Sequence, residues 1–248
     1  MKSRIKAIVL AAGKGTRLQT EGCDLPKVMR LANGRPLLHY VLSGLSFIEP
    51  EDTVIVVGYK KDKVIEAFSG YRFAVQHEQL GTGHAVMSAA EEFEGYSGPV
   101  LICCGDMPLI TKETYKSLAE AHAASGGACT VLAGITDEKL PYGRIVRDEN
   151  GGFLRMVEER DCTPEELLIK ELNSGVYVFD SQKLFAALKE IKNNNAQGEY
   201  YLTDVPEILR LQGERVGVFS KEIGREIIGV NTVEQLTEVE EIIKEREK

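Results

Sequence analysis

The sequence predicts an α/β fold with a Rossmann-like, mainly parallel sheet flanked by helices and a smaller antiparallel lobe. Two observations lead to this prediction. Short apolar runs alternate with segments of helical spacing in the first half of the chain, and shorter segments joined by turn residues follow after about residue 135. Sheets of this kind bind ligands at the carboxyl ends of their strands, so a functional site is expected at that edge.

The first half contains the buried strands of the predicted sheet. Their apolar runs, each bounded by Gly, Pro or charged residues, cover residues 5–10, 54–57, 73–75, 100–104 and 129–133. Between these runs, apolar residues recur at helical spacing, as at 37–45 and 85–90. Strand and helix alternation of this type predicts parallel strands covered on both faces.

The second half is predicted to form the antiparallel lobe and the end of the fold. Its short segments have turn residues at 150–152 and cover residues 144–147, 152–157 and 174–179. Helical patterns follow at 181–192 and 204–211, with a strand at 216–220. The last helix is predicted from Thr232, which forms a capping box with Gln235 and precedes an apolar stripe.

Length and charge limit the possible functions. The chain has 248 residues. A typical domain has roughly 150 residues, so this length suits one large α/β unit or a core with a small lobe. Its 43% hydrophobic and 27% charged residues are ordinary for a globular protein. The net charge of -8 argues against nucleic-acid binding, which relies on Lys and Arg. A polyanionic ligand must therefore meet positive charge locally.

The cysteines and the apolar runs predict a cytoplasmic protein without membrane contact. The five cysteines are odd in number and include no C-x-x-C pair, so neither a disulfide framework nor a zinc site is indicated. No run approaches the roughly 20 apolar residues that cross a bilayer. The basic start is followed by only a short apolar run at 7–12, so it predicts a strand rather than a signal peptide.

A loop of small residues follows the first predicted strand, with the sequence Leu10-Ala11-Ala12-Gly13-Lys14-Gly15-Thr16-Arg17. Glycines there free backbone N–H groups to bind an anion, and the basic residues add charge. A Walker loop is excluded because Gly15 stands where Ser or Thr should follow the lysine, and Leu18 breaks a dinucleotide-binding fingerprint. The glycines alone also fit a tight structural turn, but Arg17 and nearby Lys27 favour phosphate binding.

This loop, together with 25–28 (LPKV) and 34–37 (GRPL), resembles the signature of the sugar-1-phosphate nucleotidyltransferases. Further motifs resemble the bacterial N-acetylglucosamine-1-phosphate uridylyltransferases within that family. These motifs lie at residues 76–85, 105–109, 142–145, 171–175 and 193–204. The resemblance runs from Ile5 to about Glu247 in unbroken order, and its last motif is the most specific.

The resemblance implies a nucleotide site, a sugar site and a metal site. The nucleotide would be bound by Leu10, Ala11, Ala12, Gly13, Gln76, Gly81, Thr82 and Asp106. The sugar would be bound by Gly143, Glu158, Asn173, Tyr201 and Thr203. Arg17 and Lys27 would act as catalytic residues on the phosphates, and Asp106 with Asn231 would hold Mg²⁺.

The chemistry of two of these residues agrees with the implied roles. The amide of Gln76 offers one donor and one acceptor, which complement a uracil edge that presents N3–H and a carbonyl. Asp106 follows the apolar run 100–104, so its carboxylate should emerge at the carboxyl end of a strand. Mg²⁺ prefers one or two protein oxygens plus substrate phosphates and water. A carboxylate at that edge therefore suits a magnesium nucleotide.

Several positions can also be interpreted as structural residues without a role in binding or catalysis. Without the resemblance, Asn231 would simply precede a helix and Glu158 would belong to a charged surface. His84 is expected to start a helix rather than to catalyse. The stretch 19–23 is longer than the family pattern, which leaves its placement open. Cys104 stands where some relatives carry a tyrosine, and it is expected to act as a small core residue.

The predicted reaction is the transfer of UMP from UTP to N-acetylglucosamine 1-phosphate by a nucleotidyltransferase domain at 1–231. Its halves, about 1–135 and about 136–231, would bind nucleotide and sugar, and 232–248 would form a C-terminal helix. The alternatives are another sugar 1-phosphate, such as glucose 1-phosphate with UTP or dTTP, or a non-catalytic nucleotide-sugar binding protein. Related bifunctional enzymes add an acetyltransferase β-helix; no hexapeptide repeats occur here, so no acetyl transfer is expected. The oligomeric state is left open.

Overall fold

The computed structural model of the chain describes residues 4–15, 18, 25–137, 140–222 and 224–248. Its strands are β1 (Lys6–Ala11), β2 (Leu31–Ala32), β3 (Arg35–Pro36), β4 (Thr53–Val57), β5 (Arg72–Val75), β6 (Pro99–Cys104), β7 (Cys129–Ile135), β8 (Arg144–Arg147), β9 (Phe153–Val157), β10 (Glu171–Asp180) and β11 (Val216–Lys221). Each predicted strand is therefore present, with ends that differ by a few residues.

The α-helices are α1 (Leu37–Gly44), α2 (Lys61–Ala67), α3 (Thr82–Met87), α4 (Lys112–Ser125), α5 (Ser181–Ala187), α6 (Asp204–Leu211) and α7 (Val233–Arg246). Helix α5 is shorter than the predicted 181–192. The chain after Ala187 continues as a tighter turn, because Lys189 and Glu190 donate to the carbonyls of Ala186 and Ala187, three residues back. Short 3₁₀ helices include Lys27–Met29, which carries one of the predicted site residues.

One sheet organises the described part of the chain. Its main strand order is β11-β7-β10-β6-β1-β4-β5, and β8 and β9 extend from β10 as an antiparallel hairpin. Strand β1 pairs in parallel with β4 and β6, and β11 pairs in parallel with β7. Strand β10 runs antiparallel between β6 and β7. The α/β prediction with a small antiparallel lobe is confirmed, and strand β10 joins the two halves of the chain in one sheet.

The core lies on both faces of this sheet. Along β1 the buried side chains alternate, because successive residues of a strand point to opposite faces: Ile8 packs with one cluster, and Ala7 and Val9 pack with the other. Helices α3, α5 and α6 cover the Ile8 face, and α1, α2 and α4 cover the opposite face. Burial on both faces explains why the central strands are apolar runs rather than alternating patterns.

The C-terminal helix α7 is attached through a third apolar cluster. Thr232 caps the helix and forms the predicted capping box with Gln235, which satisfies backbone N–H groups at the helix start. The stripe of Val239 and Ile243, with Leu236 at its edge, packs on residues near α1 and on the segment before the cap. The cap therefore fixes the position of Asn231 immediately before it. None of the helices in the described ranges is long and apolar enough to cross a bilayer.

Candidate active site

Two adjoining cavities lie at the carboxyl ends of β1 and β6, where the sequence places the site. The smaller has a volume of about 260 Å³ and the larger about 400 Å³. Both are lined by Leu10, Thr82, Cys104 and Asp106. A ligand in one cavity would therefore meet a ligand in the other beside the Asp106 carboxylate.

The smaller cavity collects the residues predicted to bind the nucleotide. Its lining includes Leu10, Ala11, Ala12, Gly13, Lys27, Gln76, Gly81, Thr82 and Asp106. The Gln76 side chain is buried, and its Nε2 lies 3.1 Å from the carbonyl oxygen of Gly81 and 3.1 Å from Nδ1 of His84. The end of β5 thus presents an amide to a cavity whose other walls are the end of β1 and the start of α3.

The Gly81 turn is held in place by residues 200–202, which are distant from it in the sequence. Gly83 N donates to the carbonyl of Tyr200 at 2.8 Å, and Leu202 N donates to Oγ1 of Thr82 at 3.0 Å. Gly81 has a φ of 112°, and a Cβ there would lie 2.6 Å from the Tyr200 carbonyl oxygen. Only glycine fits this conformation without strain.

Three polar side chains converge where the cavities meet. Nζ of Lys27 donates to Oδ1 of Asn231 at 2.6 Å and forms an ion pair with Asp106. The backbone holds the same arrangement, because Val230 N donates to the Asp106 carbonyl at 2.9 Å. Asn231 N donates to Oε1 of Gln235 at 2.7 Å, so the α7 cap also orients Asn231. The result is one cation between a carboxylate and an amide oxygen.

The larger cavity brings together four of the five predicted sugar residues: Gly143, Glu158, Asn173 and Thr203. Oγ1 of Thr203 donates to Oε1 of Glu158 at 3.0 Å. Burial raises the pKa of Glu158, and the Thr203 hydrogen bond partly opposes that shift. With its one hydrogen given to Glu158, the Thr203 hydroxyl can still accept, as can the carboxylate, so both can accept hydrogen bonds from the hydroxyl groups of a sugar.

Strand β10 places Asn173 through an irregularity in its pairing. The register with β7 shifts between Asn173 and Tyr177, which is where the strand reaches the cavity. Oδ1 of Asn173 accepts from Gly175 N at 3.0 Å, and its Nδ2 donates to the Tyr177 hydroxyl at 2.7 Å. Its backbone N donates to the Gly143 carbonyl at 2.9 Å. These bonds fix the amide against the wall that carries Gly143.

The chain matches the model of a known protein family. The family model of the MobA-like NTP transferase domain matches residues 7–203. The chain belongs to this family. The match runs from Ala7 in β1 to Thr203, and so includes both cavity linings apart from the segment that carries Asn231.

Curated relatives of this MobA-like NTP transferase domain extend the similarity to almost the whole chain. The bifunctional protein GlmU of Streptococcus thermophilus is 46% identical over 241 residues, which are 97% of this chain and 52% of that protein. The bifunctional proteins GlmU of Streptococcus gordonii and Streptococcus sanguinis are each 45% identical over the same shares. The chain spans about half the length of the curated relatives it matches.

Two of the predicted site residues, Tyr201 and Arg17, are not found among the described residues that line the two adjoining cavities. Tyr201 lines a neighbouring cavity of about 410 Å³, which Glu158 and Thr203 also line. The Tyr201 hydroxyl accepts a hydrogen bond from Gln197 at 2.8 Å. Arg17, the predicted second phosphate residue, lies outside the described residues, as does the stretch 19–23.

The two adjoining cavities are also lined by residues to which the sequence analysis assigned no role. Gln79 and Glu199 line the smaller cavity, and Tyr142 lines the larger. The Tyr142 hydroxyl donates to the Ile227 carbonyl at 2.8 Å and accepts from Gly229 N at 2.7 Å, which secures the segment before Asn231. These residues lie inside the motifs 76–85, 142–145 and 193–204, so their membership in the motifs was the available signal.

Cys104 is partly buried against the core and lies at the junction of the two cavities. Burial raises the pKa of its thiol, and the Asp106 carboxylate raises it further. A thiol with a raised pKa stays protonated and is a poor nucleophile. Cys104 therefore contributes shape to the junction. It was predicted to be a small core residue, and the structure differs in that the side chain also lines both cavities.

Proposed function

We propose that this chain transfers UMP from UTP to N-acetylglucosamine 1-phosphate, giving UDP-N-acetylglucosamine and pyrophosphate. The observation that carries the proposal is the pair of adjoining cavities that share Asp106, with Lys27 and Asn231 at their junction. Two anionic substrates need such a junction, because their reacting groups must meet while their negative charges repel. The similarity to the GlmU proteins supports the choice of reaction.

The proposed positions of the substrates follow from the linings. The nucleotide occupies the smaller cavity, where Gln76 and the Gly81–Thr82 backbone face the base and residues 10–13 face the phosphates. The sugar occupies the larger cavity, where Glu158, Thr203 and Asn173 offer partners for its hydroxyl and acetamido groups. Tyr201, behind Glu158 and Thr203, would support this wall.

This assignment agrees with the predicted halves of the domain. Apart from Glu199, the smaller cavity is lined by residues before position 135. The larger cavity is lined mainly by residues after it, and the shared strand β10 brings the two together. We therefore propose that about 1–135 binds the nucleotide and about 136–231 binds the sugar.

The proposed reaction is an in-line displacement at the α-phosphorus of UTP. A phosphate oxygen of the sugar 1-phosphate forms the new bond to phosphorus as the bond to the pyrophosphate oxygen breaks. The attacking phosphate is already ionised at pH 7, so no general base is needed. The work of the protein is to align the two groups and to neutralise charge, and Lys27 lies at the junction where that charge develops.

The junction fits a magnesium ion. The Asp106 carboxylate and the Asn231 amide oxygen both contact the Lys27 ammonium, so the two oxygens converge on a single cation. Two protein oxygens of this type, completed by phosphates and water, are the ligands that Mg²⁺ prefers. We propose that Asp106 and Asn231 hold Mg²⁺, which when bound would orient the phosphates and stabilise the leaving pyrophosphate.

The transfer is expected in the cytoplasm. The four cysteines in the described ranges are all free thiols, as the reducing environment of that compartment would keep them.

Replacing Asp106 with Asn tests the proposal. The substitution keeps the size of the side chain and removes its charge, so turnover should fall by at least about 100-fold while the fold is retained. The measurement is pyrophosphate release at saturating Mg²⁺, with circular dichroism as the check on folding. Asp62→Asn on the exposed surface of α2 is the matched control and should keep full activity. Near-normal turnover of Asp106→Asn at saturating Mg²⁺ would contradict the metal assignment.

A further inference from the structure

The amide nitrogen of Gln76 forms hydrogen bonds within the protein. Gln76 is 3% exposed, and its Nε2 lies 3.1 Å from the Gly81 carbonyl oxygen. A carbonyl oxygen can only accept a hydrogen bond, so the amide group that faces it must be the NH₂. The Gly81 carbonyl therefore favours the orientation of the Gln76 amide in which Oε1 points the other way.

His84 takes the second hydrogen of the same nitrogen. Its Nδ1 lies 3.1 Å from Nε2 of Gln76. Because Nε2 is a donor, Nδ1 must be an acceptor, which places the imidazole proton on the other ring nitrogen. Both hydrogens of the amide are then engaged. Among the described residues none donates to Oε1, so the amide offers the cavity an acceptor and no donor.

The position of His84 is fixed by its helix. His84 is the third residue of α3, and its carbonyl accepts from both Ser88 N and Ser88 Oγ. The preceding residue, Gly83, is tied to Tyr200 through its backbone N–H. The imidazole is therefore presented to Gln76 from a secured backbone.

We infer that His84 is a positioning residue that sets the nucleobase selectivity of the site; this inference rests on the proposed function. An acceptor at Oε1 suits the N3–H of uracil, a donor. Cytosine carries an acceptor at the same ring position, so it meets a lone pair and is rejected. Without the His84 acceptor, only the Gly81 carbonyl still holds the amide, so the amide can turn over more readily and present its NH₂ to an acceptor on the base. The discrimination against cytosine then falls.

Equilibrium binding of UTP and CTP tests this role without turnover. The dissociation constants are measured by calorimetry with Mg²⁺ and no sugar, for the wild-type chain and for His84→Leu, His84→Asn and His77→Leu. His84→Leu removes the acceptor, and the preference for UTP over CTP should fall about tenfold, the value of one hydrogen bond. His84→Asn keeps an acceptor near the position of Nδ1 and should retain the preference within about twofold. His77, on the exposed part of the same turn, is the matched control and should leave the preference unchanged.

The ratio of the two constants separates a positioning role from a structural one. A general loosening of the site would weaken UTP and CTP equally and would leave the ratio constant. If His84→Leu binds UTP measurably and its ratio of the two constants is unchanged, the inference about His84 is overturned and the proposed function is not. A wild-type chain that binds neither nucleotide would overturn the proposed function and the inference with it.

Discussion

Nζ of Lys27 lies 2.6 Å from Oδ1 of Asn231, although the two residues are 204 positions apart in the chain. The same ammonium forms an ion pair with Asp106. The Lys27 side chain is 14% exposed and that of Asp106 is 22% exposed, so the contact is largely shielded from water. The Lys27 ammonium thus lies at the point between the two oxygens that we assign to Mg²⁺.

Lys27→Met should therefore have two opposite effects. Turnover should fall by about 100-fold, because the positive charge that meets the phosphates is lost. The nucleotide-free chain should bind Mg²⁺ more tightly than the wild type, because the ammonium no longer competes for Asp106 and Asn231. Pyrophosphate release gives the first value and calorimetric titration with Mg²⁺ gives the second.

The control for this pair of measurements is Lys189→Met, which removes an exposed lysine just after α5. It should change neither value. Equal Mg²⁺ affinity in Lys27→Met and the wild type would show that the lysine and the metal do not share a position.

Gly81→Ala should weaken nucleotide binding through the backbone. The new Cβ would lie 2.6 Å from the Tyr200 carbonyl, and alanine disfavours the φ of 112°. Strain of this kind costs about 1–3 kcal/mol, so we expect a lower melting temperature. The turn should shift to relieve the clash, which would displace its backbone from the nucleotide and raise the UTP dissociation constant at least about tenfold. Gly70→Ala is the matched control, since a Cβ there meets no atom within 4 Å. Unaltered UTP affinity in Gly81→Ala would mean that this turn does not contact the nucleotide.

Asp204→Asn should stabilise the fold in a pH-dependent way. Burial, with the charges of Glu207, Glu158 and Asp161, raises the pKa of Asp204 to about 6. A carboxyl whose pKa is raised in the fold contributes stability below its unfolded pKa, and that contribution is lost as the pH rises through 6. The Asn variant should therefore melt about 2–4 °C above the wild type at pH 7.5 and close to it at pH 4.

Thermal unfolding of both proteins at the two pH values provides this comparison. Asp62→Asn, at an exposed position, should show no such difference. A shift of equal size at pH 4 and pH 7.5 would argue that the effect of Asp204→Asn is not electrostatic.

Much of the fold could be predicted because burial leaves a local pattern. The central strands are covered on both faces, so β1, β4 and β6 appear in the sequence as apolar runs. The capping box of Thr232 and Gln235 is equally local. The placement of β10 between β6 and β7 was not predictable in the same way, because strand order depends on contacts between distant segments.

The candidate site shows the same difference between what local motifs predict and what depends on contacts between distant segments. The motifs predicted which residues line the cavities, since Gln76, Asp106 and Glu158 all do so. The sequence could not show that Lys27 bonds to Asn231. It also gave no sign that the Gln76 donor is already used by Gly81 and His84, because such bonds arise only from the folded geometry.

The most direct test of the central proposal is pyrophosphate release from UTP with N-acetylglucosamine 1-phosphate, glucose 1-phosphate or no sugar, each with and without Mg²⁺. We predict Mg²⁺-dependent release with N-acetylglucosamine 1-phosphate only. Equal release with glucose 1-phosphate would contradict the sugar assignment and indicate a related nucleotidyltransferase. No release with either sugar, together with saturable binding of UDP-N-acetylglucosamine, would contradict the catalytic proposal and indicate a nucleotide-sugar binding protein.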